Sequence, residues 1–259
     1  PPTENRQLQT HTVYPFLVLL DRLLNHILDD TLELVRRGLV LYPFGNDSGI
    51  DRAQGLVVIK PSGVNYDDLR PEHMVVTDLD GDIVEGTLKP SSDLDTHTLL
   101  YRSFPTIGAV VHTHSEFATS FAQAGMAIPA LGTTHADYFY GPVPCTAPLT
   151  GQAIAGRYVH ETGLAIVERF SATPEGKNGP AHPAIDPLAV PACLVAGHAP
   201  FVWGPTPHAA AHNAVVLEAV ARMAYRTLTL KSEVNVVTQA RLDRHYFRKH
   251  GPTATYGQP

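Results

Sequence analysis

The chain has 259 residues, 44% hydrophobic and 17% charged, with a formal net charge of -6. That balance describes an ordinary globular chain with no basic footprint, so no nucleic-acid partner is expected. No apolar run approaches the ~20 residues of a spanning helix, and the polar start from Pro1 to His11 lacks a signal pattern; a cytoplasmic protein with no membrane partner is expected.

Residues 1–15 read as a flexible N-terminal segment and 16–259 as a single domain. From Phe16 to Arg37, Leu20, Leu23, Leu24, Ile27, Leu28, Leu32 and Val35 recur at helical spacing. Gly38 sits where a C-cap glycine belongs, and Asp29-Asp30 is the one place where this helix could break. Leu39–Tyr42 predicts a strand, followed by turn chemistry from Phe44 to Gly49. Gly55–Lys60 predicts a second strand, ended by Pro61-Ser62-Gly63. Met74–Thr77 and Ile83–Glu85 flank Asp80-Gly81 as a hairpin. Ser91-Ser92-Asp93 opens a helix through Tyr101, with a serine as the expected N-cap.

Ile107–Val111 is an apolar strand that runs into His112-Thr113-His114, and Ser115–Gly125 reads as a helix. Thr133–Tyr138 predicts a polar loop and Gly141–Pro148 an extended stretch. A helix is expected from Thr150 to about Thr162, then a strand at Leu164–Val167. Ser171–Pro187 reads as a surface loop, Ala192–Ala196 as a strand reaching Gly197-His198, and Ala209–Leu228 and Val234–Lys249 as helices. Helices before, between and after antiparallel hairpins predict an α/β fold: one three-layer α/β/α domain around a mostly antiparallel sheet. No Gly-rich nucleotide loop appears, so no nucleotide cofactor is expected.

Side chains two apart on a strand share a face, so His112 and His114 can project together. An isolated His-x-His is ordinarily a pair of hydrogen-bonded histidines, so further ligands must come from elsewhere. With fourteen histidines and two cysteines, any metal here is held by imidazole and carboxylate. His198 is the natural third ligand, or a strand-end histidine bonded to backbone. Asp93 could be a fourth ligand, a base or a helix cap. Three histidines and an acid with an open position make a Lewis-acid site, zinc being the first guess. Asn46, Lys60, Ser62, Gly63, Ser91 and Ser92 together suggest a phosphate cradle built from turn and helix-start N–H groups, hydroxyls and one ammonium.

Ser91-Ser92-Asp93, His112-Thr113-His114-Ser115, the run Gly132–Gly141 and Gly197-His198 resemble the class II aldolase/adducin family, with the likeness extending from about Leu39 to Gln258. The Thr133–Gly141 run and His245–Gly251 are most similar to members that epimerise L-ribulose 5-phosphate at carbon 4, to D-xylulose 5-phosphate, by retro-aldol cleavage and re-formation of the C3–C4 bond. The resemblance implies Asp93, His112, His114 and His198 around one zinc or other divalent transition metal per chain. It implies substrate contacts from Asn46, Lys60, Ser62, Gly63, Ser91, Ser92, Thr133, His245 and Arg248, and an acid/base pair, Asp137 and Tyr256. It further implies a homotetramer whose sites lie at subunit interfaces, with Asp137, His245 and Tyr256 reaching in from the neighbour, and a small phosphosugar as substrate.

Other activities within the resemblance are a zinc aldolase cleaving another phosphoketose and a non-catalytic adducin-like binding protein. In the fuculose-phosphate type of aldolase a glutamate stands at the position of Asp93, and adducin-type members would be expected to lack the histidines; this chain has Asp93 and all three histidines. It departs from the family at Pro43-Phe44, where Thr-Trp is usual, and at Asp47, where a small apolar residue is usual. Asp47 is expected to add negative charge beside the phosphate cradle.

Overall fold

The computed structural model describes residues 15–42, 44–172, 183–251 and 254–256, with side chains from residue 20 onward. Residues 1–14 of the expected N-terminal segment, Pro43 and most of the loop expected at 171–187 lie outside the described residues, whereas Pro15, counted with that segment, opens the first helix.

Seven strands form one sheet: β1 (Asn46–Asp51), β2 (Leu56–Ile59), β3 (Val75–Asp78), β4 (Ile83–Glu85), β5 (Ala109–His112), β6 (Ala192–Leu194) and β7 (Pro200–Gly204). Their order is β4-β3-β2-β1-β5-β7-β6, and every neighbouring pair is antiparallel. The helices are α1 (Pro15–Arg36), α2 (Leu94–Ser103), α3 (Glu116–Gln123), α4 (Thr133–Ala136), α5 (Gly151–Ala155), α6 (Tyr158–Phe170), α7 (Pro207–Leu230) and α8 (Gln239–Phe247). None of them is long and apolar enough to cross a membrane.

The strands' apolar runs are continuous because both faces are covered. Val58, Val76, Ala109, Val111 and Val202 pack with Ile27 and Leu34 of α1, Phe121 of α3 and Leu217 of α7. Val57, Val110, Phe201 and Trp203 point the other way, onto Leu100 and Tyr101 of α2 and Ile166 and Phe170 of α6. This is the three-layer arrangement expected from the sequence.

α1 runs unbroken through Asp29-Asp30. Its end is a paired-bond cap: Gly38 N–H donates to Val35 O and Leu39 N–H to Leu34 O, with Gly38 at φ 71°. The strand expected at Leu39–Tyr42 is absent. Leu39 and Val40 are buried behind the cap, whereas Leu41 and Tyr42 point to solvent. The strand lies instead in the stretch expected to turn, Asn46–Asp51. Its polar side chains tolerate burial because each meets a partner across a layer: Asn46 with Asp93, Asp47 with Thr31, Ser48 with His97 and Tyr101.

Leu164–Val167 is helical rather than a strand. Thr162, Gly163, Ile166 and Phe170 fall on one buried face of α6, against α2, so the helical period governs that segment. Thr133–Ala136 forms a single helical turn within the expected loop, α8 starts at Gln239 rather than Val234, and β7 had no counterpart in the sequence reading.

Candidate metal and anion site

Four adjacent strands bring side chains to one end of the sheet. Asn46 opens β1, Lys60 follows β2, His112 closes β5, and His198 stands in the turn before β7. Register fixes the arrangement: Asn46 pairs with His112, and His112 with Phe201. β5 ends at His112, so His114 lies beyond the strand. The two rings converge nevertheless, with Nε2 atoms 3.1 Å apart. One ligand-type nitrogen from each of His112, His114 and His198 lies within 4.8 Å of the others, and the ring centroids are 4.9–5.1 Å apart.

The surroundings prepare these rings for a cation. His112 Nδ1 lies 2.9 Å from Pro200 O, and a carbonyl can only accept, so Nδ1 carries the proton and Nε2 presents a bare lone pair. The ring also stacks on Phe201, at 4.2 Å and 18°. Burial pushes His112 down to about 3 and lowers His114 and His198 too, so all three stay neutral near pH 7. Asp93 Oδ2 is 3.9 Å from His112 Nε2 and accepts a 2.6 Å hydrogen bond from Asn46 Nδ2. Burial works to raise the Asp93 carboxyl, but the neighbouring imidazoles of His112 and His97 and the Asn46 amide outweigh it and hold it below its ordinary value. Three neutral imidazoles and a carboxylate are a donor set that fits zinc or a related divalent ion.

Beside the rings, two turns form an anion wall. Ser62 N–H donates to Lys89 O and Ser91 N–H to Lys60 O, tying the 60–63 turn to the start of α2. Among the described residues the N–H groups of Gly63 and Ser92 have no protein acceptor. Ser91 is not the helix cap expected; its hydroxyl accepts from Asp93 N–H at 3.3 Å, and Asp93 holds the cap position without a side-chain cap bond. One cavity of about 230 Å³ joins this wall to the histidines, lined by Phe44, Gly45, Asn46, Lys60, Ser62, Gly63, Ser91, Ser92, Asp93, His112, His114 and His198. Every sequence-predicted metal and phosphate residue lines it.

Asp137, Tyr256, His245, Arg248 and Thr133 do not. Thr133 opens α4 on the surface. Asp137, in the next turn, accepts hydrogen bonds from His245 Nδ1 at 2.9 Å and Arg248 at 2.8–3.2 Å, with Lys249 Nζ 3.6 Å away. Burial would raise this carboxyl, yet Arg248 and His245 hold it below the usual carboxylate range. Tyr256 is 66% exposed, with Lys249 Nζ 4.2 Å and the Arg248 guanidinium 5.6 Å from its ring. These residues form a second, charged cluster outside the cavity.

Asp47 differs from its sequence expectation. It is 2% exposed on the opposite face of β1 from Asn46, under α1, and does not line the cavity. Thr31 Oγ1 donates to its Oδ1 at 2.5 Å, while Oδ2 has no partner. Burial raises its pKa to about 7; the Thr31 bond and Lys60 work against that, and Asp30 adds to it. Because the folded pKa exceeds the unfolded value, the native state keeps a proton that the unfolded chain releases between pH 4 and 7, and stability falls as pH rises through that window. Asp47→Asn should therefore be more stable than the parent at pH 8, by a few kcal/mol at most. In denaturant titrations the gap should narrow toward pH 4; a gap independent of pH would contradict the buried, protonated carboxyl.

Sequence reasoning also missed Glu218, whose two carboxylate oxygens accept from Phe117 and Ala118 N–H and anchor α3 just after His114. Nothing local marks it; it comes from α7, about 100 residues away.

The family model described as "Class II Aldolase and Adducin N-terminal domain" matches residues 25–225. This chain belongs to the class II aldolase and adducin family. Among its relatives is an "L-ribulose-5-phosphate 4-epimerase UlaF" of Salmonella paratyphi B, 47% identical over 239 residues, covering 92% of this chain and all of that protein. A protein of the same name from Salmonella typhi is equally similar. Among solved structures, an L-fuculose 1-phosphate aldolase superposes with a TM-score of 0.71 at 21% identity, over 88% of this chain and 95% of that one. YgbL of Klebsiella pneumoniae, titled a putative aldolase/epimerase/decarboxylase, gives 0.63 at 21%, over 87% and 98%. At such identity these two speak for the class II aldolase fold alone.

Proposed function

We propose that this chain, with residues 16–259 acting as one domain, epimerises L-ribulose 5-phosphate and D-xylulose 5-phosphate at carbon 4. The observation that carries this reading is the single cavity in which three neutral imidazoles and Asp93 face an anion wall. The 47% identity to proteins named as 4-epimerases supports the choice of substrate. In this reading His112, His114, His198 and Asp93 hold one divalent ion, zinc in the first instance. Such an ion supplies Lewis acidity, polarising the ketose carbonyl and stabilising the electron pair left on C3.

The protein's own groups do the rest. Asn46 aims Asp93, and Pro200 O fixes the His112 tautomer. Lys60, Ser62, Gly63, Ser91 and Ser92 grip the phosphate, so the C4–C5 fragment stays bound when the C3–C4 bond breaks. A base takes the C4 hydroxyl proton, the bonding pair moves to C3, and C4 becomes an aldehyde. After that aldehyde turns its other face, C3 attacks it again and an acid returns a proton to the new C4 oxygen. Asp137 and Tyr256 are the groups we assign to these two transfers, with Thr133, His245 and Arg248 in support; a carboxylate and a phenol suit proton exchange with an alkoxide. Since both stand outside the cavity of their own chain, we place them in the cavity of a neighbouring subunit, in a homotetramer.

The test is a coupled assay of the metal-loaded protein with each pentulose 5-phosphate. Interconversion in both directions is expected. Inertness on both, with cleavage of another phosphoketose, would reassign the chain as an aldolase.

A further inference from the structure

Lys60 is 2% exposed, and burial lowers its pKa, so holding its charge requires a built environment. Its ammonium donates to Pro61 O and Val64 O, both at 3.2 Å. Nζ also lies 4.8 Å from the centre of the Tyr66 ring, within cation–π range. Among the described residues no protein acceptor takes the third N–H, and Lys60 lines the cavity.

Tyr66 does a second thing. Its phenol O–H is shared between Phe44 O at 3.0 Å and Gly45 O at 3.1 Å, which fastens another part of the lining of the same cavity. Phe44 in turn places its ring 6.2 Å from that of His114. Tyr66 is buried, sits in a 3-10 turn just past the 60–63 turn, and is not among the cavity-lining residues.

We propose that Tyr66 is a positioning residue for the anion subsite: its ring face fixes the Lys60 ammonium with one N–H left for a phosphate oxygen, and its hydroxyl holds the Phe44-Gly45 wall against that phosphate. The inference rests on the cavity binding a phosphate group, as in the proposed function, but not on the reaction that follows. Tyr66 does not touch the metal ligands, so it should act on anion affinity and leave metal affinity alone.

The experiment is calorimetric titration of zinc-loaded full-length protein with inorganic phosphate, alongside zinc affinity by chelator competition, for the parent, Lys60→Met, Tyr66→Phe and Tyr66→Leu. Tyr66→Leu loses both ring and hydroxyl and should weaken phosphate binding about tenfold. Tyr66→Phe keeps the ring and should weaken it about threefold, with zinc affinity unchanged in both. If Tyr66→Leu does not fold, the Phe variant carries the test alone. Parental phosphate affinity in the Tyr66 variants but not in Lys60→Met overturns the role of Tyr66 and leaves the epimerase reading standing. Parental affinity in Lys60→Met as well overturns the role of Tyr66 together with the place of Lys60 in the phosphate grip. Tyr66-dependent phosphate binding in a protein that turns over no pentulose phosphate upholds Tyr66 and removes the epimerase reading.

Discussion

His112→Asn should bind no stoichiometric divalent metal and retain less than about a thousandth of the parent's activity, whereas the parent should hold one ion per chain. The asparagine amide can keep the donor to Pro200 O, although the ring stack on Phe201 and the bare Nε2 lone pair are lost. His198→Asn should behave the same way, because losing one of three converging imidazoles leaves only two of them beside Asp93, and each missing imidazole weakens the hold on the ion. Elemental analysis after dialysis reads the result directly. Full metal content in both variants would sink the ligand assignment. Far-ultraviolet dichroism should match the parent, since the histidines stand at one end of the sheet and the two cores lie along its faces.

Asp137→Asn and Tyr256→Phe should each lower turnover roughly a hundred- to ten-thousandfold with metal content intact, the usual range for losing a proton-transfer group. The sharper result comes from mixing. If Asp137 serves the cavity of a neighbouring subunit, Asp137→Asn and His112→Asn are defective in different halves of a shared site. Co-refolded in equal amounts, the two inactive proteins should regain roughly a quarter of parental activity, because one interface in four pairs two intact halves. No regain in verified mixed oligomers would mean that the acid/base groups act within their own chain or not at all.

Much of this site was legible in the sequence because its members announce themselves locally. His112-Thr113-His114 follows an apolar strand, Ser91-Ser92-Asp93 precedes a helix, and Lys60-Pro61-Ser62-Gly63 breaks a strand; all of these residues but Thr113 line the cavity. The layer architecture was legible for a similar reason, since hairpins and amphipathic helices carry their own periodicity.

The rest depended on partners far along the chain. β1 reads as a turn because Asn46-Asp47-Ser48 is polar, and it becomes a central strand only because Asp93, Thr31 and His97 meet those side chains from other elements. Leu39–Tyr42 failed in the opposite sense, an apolar run half spent on a helix cap and half left in solvent. The expected charge of Asp47 beside the phosphate was a matter of side: one residue along a strand turns the side chain to the opposite face. Tyr66 carried no motif at all, and its role comes from what its ring and hydroxyl touch.

The proposed chemistry is reversible cleavage of the C3–C4 bond in this cavity. It is tested most directly by giving the zinc-loaded protein the two fragments, dihydroxyacetone and glycolaldehyde phosphate, without any pentulose. Condensation should be metal-dependent, lost in His112→Asn, and yield both L-ribulose 5-phosphate and D-xylulose 5-phosphate, because the aldehyde is attacked on either face. A single epimer would mark an ordinary aldolase, and no pentulose phosphate from a protein that still interconverts the two sugars would contradict cleavage at C3–C4.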